Sequence, residues 1–115
     1  MKKNPSKRDM HIKKLVSCAK SIITNQTTIP MGSEKMSKLI YWIESDHPVN
    51  GIDFKVINEL NFKLSKYPIG TERLYWDKNS LREQDVEIDK IVNKYRNQFI
   101  DKCYEIIHNL DKNNH

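Results

Sequence analysis

Glycine is scarce in this chain, three residues in 115, and no GxGxxG or GxxxxGK[ST] loop is present to cradle a phosphate. Cysteine is scarcer: Cys18 and Cys103 form no CxxC, and without a secretory leader pattern they read as reduced core thiols, not a disulfide scaffold. No apolar run approaches the roughly 20 residues that cross a bilayer. The lysine-rich start is not followed by the apolar stretch of a signal peptide, so the expectation is a soluble, cytoplasmic protein. His11, His47, His108 and His115 are scattered, with no i, i+4 pair and no HExxH. Neither a metal nor another cofactor is therefore expected.

What is present is enough to fold. Leu, Ile, Val and Phe make up 29 of the 115 residues, above the composition at which disorder is the default. The length suits one domain with one modest core, so residues 1–115 read as a single unit. The formal charge of +5 is unevenly spread: the first 20 residues hold seven basic groups and one acid, and the remainder is close to neutral. Residues 1–8 read as a basic, flexible arm and residues 111–115 as a frayed tail. No Phe, Tyr or Trp is interleaved among the early lysines, so base stacking has nothing to work with there and nucleic acid is not the expected partner.

Apolar spacing divides the chain into four helices. Ile12, Leu15, Val16, Ala19, Ile22 and Ile23 form one stripe, opened by Asn4-Pro5 or nearer Asp9 and ended by residues 24–28. Ile29 to Gly32 reads as a turn, after which Ser33 is placed to cap a helix through Met36, Leu39, Ile40 and Ile43. Past His47 to Gly51, Asp53 is placed to cap a third helix bearing Val56, Ile57, Leu60 and Leu64. From Asp77 or Asn79 a fourth, much longer helix runs to about Leu110 without Gly or Pro. No segment alternates with the period of a strand. The predicted fold is an all-α bundle of about four helices, three short ones packed along a long C-terminal spine.

Chemistry is harder to find. Lys35-Met36-Ser37-Lys38 looks like the phosphate-handling signature of class I aminoacyl-tRNA synthetases, but 115 residues cannot hold their nucleotide-binding domain, and Met36 falls on the apolar stripe. Glu83, Asp85, Glu87 and Asp89 crowd the start of the fourth helix, with Glu44 and Asp46 the nearest rival cluster. Nothing apolar around them would raise a pKa for catalysis, which leaves a solvated face or a docking surface for a basic partner. Pro68 and Gly70 set a turn, Arg73 is placed to bind helix carbonyls or an acid such as Asp53, and Trp76 is placed to close the end of the bundle. No catalytic set emerges, and an enzyme is not expected.

The succession Cys18-Ala19-x-x-Ile22, Ile29-x-x-Gly32, Met36-x-x-Leu39 and Pro68-Ile69-Gly70-x-x-Arg73-x-x-Trp76, followed by a long acid-rich helix containing Cys103, resembles a family of small, all-helical bacterial proteins. Its members look like immunity proteins encoded beside polymorphic or contact-dependent growth-inhibition toxins. The resemblance implies an antitoxin that neutralises a cognate toxin domain, with a nuclease the expected class, by covering its active site or substrate groove; a monomer is the expected state, though the sequence does not fix it. The alternative is a small nucleic-acid-binding or regulatory module that uses the basic N-terminus. No helix-turn-helix with a basic recognition helix supports it.

Overall fold

The computed structural model describes residues 6–111. They form α1 (Lys7–Ile23), α2 (Ile29–Glu44), α3 (Lys55–Leu64), a 3-10 turn (Thr71–Tyr75) and α4 (Lys78–Leu110). No strand occurs among the described residues. The fold is the expected all-α bundle with a long last helix.

Each start has a local cause. Ser6 Oγ accepts from the Asp9 amide at 3.1 Å, so α1 begins at Lys7, and Lys7 and Arg8 belong to the helix instead of a flexible arm. Arg8 then donates to Ile43 O in the last turn of α2 and to His47 O just beyond it, both at 3.2 Å, placing a cation at the C-terminal end of the helix. Residues 1–5 lie outside the described residues, as do 112–115 of the expected frayed tail. Asp111 is held by Lys20 at 2.6 Å.

α2 starts one turn before the position that Ser33 marks. Thr28 Oγ1 accepts from the Met31 amide at 3.3 Å, Pro30 sits in the first turn where its missing N–H is harmless, and Ser33 is fully buried inside the helix, donating to Pro30 O. Gly32 is therefore a close-approach residue: a Cβ there would lie 2.4 Å from Ile22 Cδ1 of α1. At the head of α3, Phe54 occupies the cap position and is buried, while Asp53 Oδ1 accepts from the Lys55 amide at 2.9 Å. Asp77 caps α4 as expected, taking the Ser80 amide at 2.8 Å.

α1 and α2 form an antiparallel hairpin, fixed at one end by Gly32 on Ile22 and at the other by Arg8 on Ile43. α4 packs against α1 and α3, and α2 closes the ring by packing on α1 and α3; its contact with α4 is slight. The long helix is thus a spine for two of the short helices, not all three. Buried residues Ile88, Val92, Tyr95, Phe99, Cys103 and Ile106 follow its helical repeat. None precedes Ile88, so the first ten residues of α4 project beyond the core.

Candidate partner-docking surface

The projecting end of α4 is covered by residues 68–76, whose conformation is fixed by two side chains. Pro68 is buried. The Glu72 carboxylate turns back to accept from the Ile69 amide at 3.0 Å. That bond, with those from its own amide and that of Gly70, holds its carboxyl below the usual range. Arg73 Nη1 donates to Pro68 O at 2.9 Å and to Asp85 Oδ1 at 2.8 Å, and Nη2 donates to Asp85 Oδ2 at 2.9 Å. A two-pronged guanidinium bond of this kind fixes orientation as well as distance. It lowers the Asp85 carboxyl and raises Arg73. The partner of Arg73 is therefore Asp85, not Asp53.

With its flanks tied down, the turn presents Leu74, Tyr75 and Trp76 outward, at 83%, 91% and 41% exposure. Trp76 does not close the bundle. Single exposed hydrophobics such as Phe62 or Tyr104 are ordinary. Three large ones in succession on a tethered turn are not, and such patches mark interaction surfaces. Beside the turn, a groove floored by Ile22, Ile29, Ile88 and Val92 runs between the α1–α2 loop and α4, with Asp89 and Arg96 among its polar residues.

The structure separates the sequence's acidic candidates. Asp85 is committed to Arg73, and Asp89 lines the groove. Glu83 and Glu87 are exposed four residues apart with Val86 between them, Glu87 lying 3.4 Å from Lys90. Glu44 accepts from the Val49 amide at 3.4 Å, and Asp46 is exposed. Both sit at the Arg8 end of the hairpin, about 25 Å from the turn by the rise of α1. The two acidic clusters cannot form one surface. Sequence reasoning missed Leu74 and Tyr75; the available signal is that Leu-Tyr-Trp after a Pro/Gly turn fits no helical stripe.

At that opposite end the fold corrects the separation of aromatics from lysines. Trp42 of α2 lies against His11 of α1, ring centroids 5.1 Å apart and planes tilted 34°, beside Lys7 and Lys14.

Among the described residues no three His, Cys, Asp or Glu side chains converge to hold a metal, and no helix is long and apolar enough to cross a membrane. Cys18 and Cys103 are buried and unbridged, and burial pushes the Cys103 thiol up to about 12. Comparison with known protein families, curated proteins and solved structures finds no significant match to this chain.

Proposed function

We propose that this chain acts by occupancy: it is an immunity protein that docks on a bacterial toxin domain through Leu74, Tyr75 and Trp76 and covers the toxin's active site or substrate groove. The observation that carries the reading is the exposure of these three side chains on a turn immobilised by the Arg73–Asp85 bond. An apolar anchor presented without conformational searching loses little entropy on binding. Tyr and Trp are also the residues most often found to dominate interface energetics.

A nuclease is the favoured target because its substrate groove must be basic to hold phosphate. Glu83 and Glu87, exposed on the same projecting end, supply complementary charge that speeds encounter. The identity of the partner rests on the resemblance in the Pro68 to Trp76 segment.

The test is co-expression with the product of the gene adjacent to this chain's own, followed by titration of the purified pair. Tyr75→Ala and Trp76→Ala are each expected to weaken binding about 30-fold or more, the scale of an interface hot spot. Reversing Glu83 and Glu87 to lysine should slow association most at low salt while leaving helicity unchanged. Full protection by all these variants, or an adjacent product with no toxicity, would overturn the reading.

A further inference from the structure

The end of the α1–α2 hairpin remote from the 3-10 turn holds a second, differently built surface. Lys7, His11 and Lys14 recur at i, i+4 and i+7 and so share one face of α1. Against that face α2 sets Trp42, 46% exposed and in ring contact with His11. Lys7, Lys14, Arg8, Met10 and Asp46 line the same groove. Arg8 is occupied by the Ile43 and His47 carbonyls, and among the described residues Asp46 is the one carboxylate lining the groove, so the cations outnumber it.

We propose that this groove binds single-stranded nucleic acid, one base stacking on the Trp42–His11 surface and the flanking phosphates meeting Lys7 and Lys14. The two lysines lie seven residues apart, about 10 Å along the helix and on either side of His11. A strand crossing the rings therefore meets a cation before and after the stacked base. An open π-face between cations is the arrangement by which single strands are held without sequence preference. A duplex would meet the lysines but offer no free base to the rings, because its bases are already stacked within it. A purely acidic protein segment would use the lysines and leave the ring surface unmatched. The site is small, so binding is weak and responds to salt: with two phosphates engaged, a fourfold rise in salt weakens it about sevenfold. This site goes beyond the toxin-docking reading and lies at the other end of the molecule, so either can fail alone.

The chain has two tryptophans, and Trp76→Phe leaves Trp42 as the only indole to report by fluorescence. In that protein a short oligothymidylate should quench Trp42 saturably at low salt. Inorganic polyphosphate, which has charge without bases, should bind at least several-fold more weakly. With a labelled oligonucleotide read by anisotropy, Trp42→Leu and the Lys7→Glu, Lys14→Glu pair should each lose about tenfold in affinity with unchanged circular dichroism. Equal affinity for polyphosphate, an unaffected Trp42→Leu variant, or binding of a polyglutamate peptide in place of the oligonucleotide would overturn the proposal.

Discussion

Arg73 and Gly32 show how a single side chain, or its absence, decides geometry that spacing alone leaves open. The sequence marks Arg73 for helix carbonyls or an acid such as Asp53, and the structure gives it Asp85 of α4 instead. Asp85 is selected because it faces back over residues 68–73, whereas Glu83 and Glu87 point to solvent. Three carboxyls here, Glu72, Asp77 and Asp85, are held below their ordinary range, the first two chiefly by backbone amides and Asp85 by Arg73. Groups lowered on folding contribute stability that is present above their unfolded pKa, about 4, and lost as pH falls through the folded value. Stability is therefore expected to drop below about pH 4. Asp85→Asn should flatten that acid limb in urea melts; an unchanged limb would mean that the bond with Arg73 does not form. For Gly32→Ala, helix propensity gains about 1 kcal/mol while crowding of buried Ile22 costs about 1–3 kcal/mol. A net loss in denaturant midpoint is expected, and a gain would show that α1 and α2 separate readily.

Elements were legible where an apolar stripe runs unbroken. α4 is the clearest, since Ile88 to Ile106 keep step with one face and Asp77 offers its cap. Ser33 looks like a cap and so marks the start of α2 a turn late, although Ile29 continues the stripe of Met36 and Ile43 a turn earlier and Pro30 suits a first turn. The 3-10 turn was not legible as a surface. Periodicity locates the core side of a helix, but Leu74 to Trp76 belong to no helical stripe, so spacing does not say which way they face. The start of α1 falls between the Asn4-Pro5 and Asp9 that the sequence offers, because Ser6 caps the helix and Arg8 bonds to Ile43 O and His47 O. Ser6→Ala with Arg8→Ala should lower stability by about 1–3 kcal/mol in urea unfolding. No change would return residues 6–8 to a free arm.

The whole molecule is elongated, 57 × 27 × 25 Å, with a radius of gyration of 15.5 Å against about 13 Å for a compact domain of similar length. The 33 residues of α4 account for about 50 Å of that axis. The 3-10 turn with its apolar triplet rides on the end of α4 that extends beyond the core. The basic Trp42 groove sits at the far end of the α1–α2 hairpin, so the two surfaces can be altered independently. The most direct measurement is calorimetric titration of the product of the adjacent gene, the proposed toxin partner, with wild-type protein and with a Leu74→Ser, Tyr75→Ala, Trp76→Ala variant, alongside their urea midpoints. Docking through the turn predicts binding by wild type, loss of binding by the variant and nearly coincident midpoints. Equal affinity for the two proteins, or a midpoint that collapses in the variant because the triplet holds the fold together, would contradict it.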